Sequence, residues 1–179
     1  MLAAPLLVII ALAIRLDSPG PILFRQRRPG LNGRWFRMLK FRTMVRDAEA
    51  RLPQVLSLNR EPDHSLLRIA DDPRVTRVGR ILRRASLDEL PQLLNILRGD
   101  MSFVGPRPIS RPILDERAWR RLTVKPGLTG LWQINGRKET DCHFMLDKDL
   151  EYIANRSLWL DLSILAQTIP AVMCGNGAG

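Results

Sequence analysis

Ile22-Leu23-Phe24-Arg25-Gln26-Arg27, then Pro29-Gly30-Leu31-Asn32-Gly33, then Trp35-Phe36-Arg37-Met38-Leu39-Lys40-Phe41 is the stretch that decides the fold class. Two runs of apolar and aromatic residues flank a turn containing Asn-Gly, which tolerates the left-handed backbone that a tight reversal needs. The segment predicts a β-hairpin. Most of the remaining chain carries helical spacing, so the expected class is α+β: a mostly helical small domain with one β-hairpin.

Upstream of the hairpin, Met1 to Ile14 is free of charge, and Arg15 and Asp17 end the run. A spanning helix needs about 20 apolar residues, so this segment is too short to cross a bilayer. It has no basic leader, and Leu16-Asp17-Ser18-Pro19 does not suit signal-peptide cleavage. A buried core helix is one reading of such a run. The other is a re-entrant membrane helix over residues 1–16, broken at Pro5, which dips into one leaflet and returns. Arg15, Arg25, Arg27, Arg28, Arg34 and Arg37 follow it, where a basic stretch would meet anionic lipid headgroups, and this favours the second reading.

Downstream, residues 46–58 predict a helix interrupted by Pro53, and residues 59–73 a polar connection. Val75, Val78, Ile81 and Leu82 form an apolar stripe at helical spacing, with arginines on the other face. Further helices are expected after Ser86, over residues 111–122, and over residues 147–172 with a break near Asn155. Lys125-Pro126-Gly127-Leu128-Thr129-Gly130 reads as a loop leading into a short strand, Leu131-Trp132-Gln133-Ile134. Leu158, Leu162 and Leu165 make a stripe on the last helix that is expected to face the core, while Trp159 beside them also suits a membrane interface. Residues 17–174 are taken as the catalytic domain and residues 175–179 as a flexible tail.

The composition narrows the function. With 179 residues and 45% of them apolar, the chain can bury one core and is neither a disordered tail nor a disulfide-stapled miniprotein. Cys142 and Cys174 offer no paired spacing, and His64 and His143 no set of metal ligands, so a disulfide framework and a structural zinc site are set aside. The 28 basic residues exceed the 18 acidic ones, which gives a net charge of +10 and calls for an anionic partner.

Ser86-Leu87-Asp88-Glu89-Leu90-Pro91-Gln92 bears on the choice of that partner. Ser86 and Glu89 have capping-box spacing, and Asp88 suits the positive end of a helix, so a structural role would account for all three. A chemical reading stands beside it. Adjacent helical carboxylates project about 100° apart and cannot flank one bond, so they must divide the work. One would attack phosphorus and the other would hold a hard cation such as Mg²⁺. A helix start would keep the nucleophile ionised. Lys40, and Arg107 held between Pro106 and Pro108, are the obvious groups to neutralise phosphate charge.

Lys40-Phe41-Arg42-Thr43-Met44, the Ser86–Gln92 motif, Gly99-Asp100-Met101-Ser102-Phe103-Val104-Gly105-Pro106-Arg107-Pro108 and Lys125-Pro126-Gly127-Leu128-Thr129-Gly130 together resemble the bacterial sugar transferase family, the monotopic phosphoglycosyl transferases. The resemblance runs from about Pro5 to the last helix. It implies transfer of a sugar phosphate from a UDP-sugar, glucose or galactose among the candidates, to polyprenyl (undecaprenyl) phosphate, with UMP released and surface-glycan synthesis begun. It further implies Asp88 as the nucleophile that forms a covalent phosphosugar intermediate, Glu89 as a ligand of Mg²⁺, and Pro5 as the membrane-helix break. Lys40 and Arg107 match basic positions of the active site, and Arg137 completes the candidate substrate-binding set. The implied location is the cytoplasmic face of the bacterial inner membrane. Asp149, Tyr152 and Asn155 also fall on recurring positions, while the surrounding acidic cluster reads as a solvated helix face. The family carries a further basic and apolar stretch before its helix-breaking proline, and here four residues precede Pro5, so the chain is expected to start late or to be cut short.

Two other classes account for part of the pattern. A basic nucleic-acid-binding protein would use residues 75–97 as a helix-turn-helix pair, which explains the charge but not the apolar start. A membrane scaffold would use the carboxylates only as a helix cap.

Overall fold

The computed structural model describes residues 3–56, 72–109, 116–135 and 142–173. Helix α1 (Ala3–Asp17) leads into the antiparallel hairpin β1 (Leu23–Pro29) and β2 (Trp35–Phe41). Asn32 and Gly33 take positive φ angles, 53° and 75°, in the connecting turn, as the Asn-Gly signal requires. Register pairs Gln26 with Met38 and Arg28 with Phe36.

Leu7, Ile10 and Ile14 recur at helical spacing and turn α1 toward Phe41 and Leu82. The guanidinium of Arg42 donates to the Ser18 carbonyl at 2.7 Å and the Pro19 carbonyl at 3.1 Å, which fastens the exit of α1 to the end of β2. Over its described residues α1 runs from Ala3 to Asp17 as one helix, which does not confirm a re-entrant turn within it. Pro5 is the third residue of that helix as described. Among the described residues no helix is long and apolar enough to cross a membrane.

Helix α2 (Leu52–Leu56) is a single turn or so with Pro53 at its second position; the proline starts a helix instead of interrupting one. Most of the polar connection expected over residues 59–73 lies outside the described residues. Helix α3 (Arg77–Arg84) is capped by Thr76, whose hydroxyl accepts from the Gly79 N–H at 3.0 Å. Val78 and Leu82 face the core, but Ile81 is exposed, so the expected stripe is narrower than its sequence spacing.

No capping box forms after α3. Ser86 adopts a left-handed conformation (φ 54°) with no side-chain cap bond, and Leu87–Glu89 is a 3-10 turn. Pro91 then delays helix α4 (Gln92–Leu97), as a residue without an N–H at that point should. Nor is residues 75–97 a helix-turn-helix: α4 has six residues and buries its polar Gln92 and Asn95, leaving no polar face for bases.

A second sheet was not anticipated. β3 (Ser102–Val104) lies parallel to β4 (Gly127–Thr129), with Ser102 N–H donating to the Pro126 carbonyl at 2.8 Å and Gly105 N–H to the Thr129 carbonyl at 3.0 Å. Gly105 and Gly127 pack backbone to backbone. A Cβ on Gly127 would run into the Gly105 nitrogen, so two motifs distant in sequence are the two sides of one close approach.

Of the helix expected over residues 111–122, residues 111–115 lie outside the described residues, and the rest is α5 (Glu116–Arg120) running into a 3-10 turn (Arg121–Thr123). Leu131–Ile134, expected as a strand, is instead part of helix α6 (Leu131–Asn135). Trp132 and Gln133 are consecutive and both buried, which alternation in a half-exposed strand forbids and a helix wedged against the two helices that follow it permits. α7 (Cys142–Asn155) and α8 (Leu158–Met173) meet at the expected break. Their core residues are Tyr152 and Ile164, packed on Val104. Leu158, Trp159 and Leu162 are exposed by 72%, 81% and 48%, so the stripe expected in the core lies outside it.

Candidate active site

The Lys40–Met44 motif disperses its side chains by strand geometry. Lys40 shares the hairpin face of Gln26, Arg28 and Met38, while Phe41 enters the core on the opposite face. Arg42 holds α1. Thr43 accepts from the Arg83 guanidinium at 2.9 Å, which draws a cation of α3 toward the carboxylates.

The carboxylates sit on the 3-10 turn packed against β2. Lys40 donates to a Glu89 oxygen at 2.7 Å and lies 4.0 Å from Asp88, with side-chain exposures of 20%, 19% and 13% respectively. One ammonium thus engages both acids, which places their oxygens within a few ångströms of a common point. Burial raises the Asp88 carboxyl above its ordinary value; Lys40 opposes this, Glu89 adds to it, and Arg83 and Arg107 oppose it. The expectation that a helix start would depress it is corrected, because the helix that follows begins only at Gln92.

Arg107 reaches the site from the loop after β3. Its guanidinium lies over the Trp132 ring, 5.4 Å from the centroid, and its carbonyl accepts from Arg121 at 2.7 Å. Arg121 also forms a fully buried ion pair with Asp149. Asp149 is therefore part of the scaffold that holds the arginine loop, not of a solvated helix face. Its neighbours Asp147, Lys148 and Glu151 do pair at the surface. Tyr152 donates to Asp161 at 2.8 Å, and the Asn155 amide donates to the Glu151 carbonyl at 2.9 Å, so both serve architecture.

Lys40, Glu89 and Arg107 line one cleft, together with Arg28, Met38, Gln92, Pro108, Gly127, Leu128 and Gln133. Reading the sequence missed Arg28 and Gln133. Arg28 had been counted with the basic run, although the hairpin register puts it on the Lys40 face. Gln133 is 3% exposed, and neither its amide oxygen nor its amide nitrogen has a hydrogen-bond partner among the described residues. A more apolar groove, walled by Pro29, Trp119 and Val124, opens on the other side of Arg107 but holds no carboxylate. Arg137 lies outside the described residues.

Among the described residues no cluster of three or more His, Cys, Asp or Glu could hold a metal by itself. Asp88 and Glu89 are two oxygen donors on one turn, which fits a hard divalent cation that takes its other ligands from phosphate and water.

Two partly buried carboxylates sharing one lysine, beside a cleft lined by two partly buried arginines, make a site suited to an anionic substrate and to group transfer. The sequence model described as Bacterial sugar transferase matches residues 1–175, and the chain belongs to that family. The exopolysaccharide production protein ExoY of Rhizobium meliloti is 42% identical over 186 residues, covering 99% of this chain and 81% of that protein. The UDP-glucose:undecaprenyl-phosphate glucose-1-phosphate transferase of Caulobacter vibrioides is 47% identical, over 99% of this chain and 66% of its own length. The undecaprenyl-phosphate galactose phosphotransferase of Salmonella typhimurium is 39% identical; the chain spans 38% of it.

Proposed function

We propose that this chain transfers a sugar 1-phosphate from a UDP-sugar, with UDP-glucose and UDP-galactose the first candidates, to polyprenyl (undecaprenyl) phosphate and so starts a surface glycan. The observation that carries the reading is the partly buried Asp88, next to Glu89 and 4.0 Å from Lys40, both of which line the cleft with Arg107. The names of the relatives support the sugar-phosphate transfer and the lipid carrier.

In this reading an Asp88 oxygen bonds to the sugar-linked phosphorus as the bond from that phosphorus to the bridging oxygen breaks, and UMP leaves with the electron pair. An oxygen of the lipid phosphate then attacks the same phosphorus. Asp88 departs as a carboxylate, and a polyprenyl-diphospho-sugar remains. Exclusion of water from Asp88 strips the carboxylate of hydration, which favours attack once Lys40, Arg83 and Arg107 hold it ionised. Lys40, released from Glu89 by the incoming phosphate, and Arg107 balance the negative charge that builds on phosphorus oxygens. Glu89 would hold Mg²⁺, which would supply further neutralisation of the diphosphate.

The membrane reading belongs to the same proposal. Val8, Ile9, Leu12 and Leu16 on α1 and Leu158, Trp159 and Ile169 on α8 are exposed apolar side chains, which supports seating on the cytoplasmic face of the inner membrane. α1 would dip into one leaflet, with basic side chains at the headgroups.

UDP-glucose and UDP-galactose, each with Mg²⁺ and undecaprenyl phosphate, should release UMP with the wild type. Without the lipid, intact-mass spectrometry should find one hexose phosphate on the wild-type chain and none on Asp88→Asn. Turnover by a folded Asp88→Asn would rule out the proposed nucleophile.

A further inference from the structure

Arg28 is a cation with no matching acid among the described residues. It stands at the inner end of the hairpin face that carries Gln26, Met38 and Lys40, and it lines the same cleft as Glu89 and Arg107. Its hydrogen bond goes to the neutral Gln26 side chain at 2.5 Å, and its buried Nε has no partner among the described residues. No described carboxylate lies within ion-pair distance of it. Lys40, also in the cleft, differs in this respect, since it is already engaged by Glu89.

Burial, and after it the charge of Arg107, pull the Arg28 pKa down to about 10, so the two guanidiniums feel each other in a poorly solvated place. Holding like charges together inside a cleft costs stability unless a ligand of opposite charge completes the site. The ligand must be anionic, and it must offer more than one oxygen to two planar forks. A single carboxylate satisfies one fork. A diphosphate satisfies both.

We propose that Arg28 and Arg107 form a two-guanidinium clamp on the diphosphate of the substrate, with Arg28 as a phosphate-binding residue in its own right. The clamp rests on the reading above for the identity of the nucleotide sugar, but not for its chemistry, which is that of linked phosphates. In that role Arg28 binds and orients the diphosphate while Arg107, nearer Asp88 in its electrostatic effect, also faces the reacting phosphorus.

The test is calorimetric titration of detergent-solubilised wild type, Arg28→Gln and Arg28→Lys with UDP, inorganic pyrophosphate and uridine. Loss of a charge-assisted fork should weaken UDP and pyrophosphate about 10- to 100-fold in Arg28→Gln, partly recovered in Arg28→Lys, with uridine unchanged. KM for the UDP-sugar should rise more than kcat falls. As a check independent of any variant's folding, pyrophosphate should protect Arg28 of the wild type from phenylglyoxal, scored by peptide mass. Unchanged UDP and pyrophosphate affinity in Arg28→Gln, or no protection of Arg28, overturns the clamp. A wild type that binds pyrophosphate through Arg28 yet takes sugar phosphate from no UDP-sugar sinks the transferase reading and leaves the clamp. An active wild type whose Arg28 variants behave normally does the reverse.

Discussion

Replacing Asn95 with alanine tests how the site is held, because this side chain completes the edge of the hairpin. A two-stranded sheet leaves the outer backbone groups of β2 unpaired. The Asn95 carboxamide accepts from the Leu39 N–H at 3.0 Å and donates to the Arg37 carbonyl at 2.8 Å, as a neighbouring strand would. It is fully buried, so water cannot replace it. Asn95→Ala would leave a buried donor and a buried acceptor unmade, each costing about 1–3 kcal/mol, or about 4 kcal/mol together. For a chain of this size that is a drop in Tm of about 8–16 °C. Lys40 follows Leu39 directly, so transfer activity measured well below the new Tm should fall too. Asn95→Asp keeps the acceptor but loses the donor and sets a carboxylate near Asp100, so it should do no better at neutral pH. Thermal melts by circular dichroism decide the matter: a Tm within about 2 °C of wild type for Asn95→Ala would refute the edge-completing role.

Two further outcomes follow from the scaffold. Burial lifts the Asp149 carboxyl from 3.8 to about 6, against the pull of Arg121, so the folded chain binds that proton more tightly than the unfolded chain. Its stabilisation is therefore complete below the unfolded value and is lost as pH rises through about 6; urea denaturation should show the wild type losing about 3 kcal/mol relative to Asp149→Asn between about pH 4 and pH 7, and a difference that stays constant with pH would refute the assignment. At the second sheet, Gly127→Ala should cost about 3 kcal/mol or more, because its methyl meets the Gly105 backbone and no rotamer can relieve it. A variant that melts within about 2 °C of wild type would show that the two loops can move apart.

Local signals survived folding where they depended on neighbouring residues. The Asn-Gly turn, the amphipathic stretches that became α3 and α7, and the proline that delays α4 all act within a few residues of themselves. Ser86 was misread for the converse reason: its spacing to Glu89 suits a cap, yet packing of the turn on β2 and α3 puts its backbone in a left-handed state that caps nothing. Residues 131–134 were misread because β4 begins four residues earlier, at Gly127, where only glycine lets two backbones touch. The exposed stripe of α8 carries the same periodicity as a core stripe, and periodicity does not say which side is solvent.

The site divides along the same line. By itself the sequence determined the chemistry available: Asp88, Glu89, Lys40 and Arg107 are reactive or charged whatever surrounds them, and their motifs carry the family. Which charges share a cleft was decided by tertiary structure alone. Strand register turned Arg28 inward from a basic run, α6 brought Gln133 beside it, and burial raised the Asp88 carboxyl that a helix start was expected to lower. Register, burial and charge proximity are properties of distances between remote segments, and no window of sequence contains them.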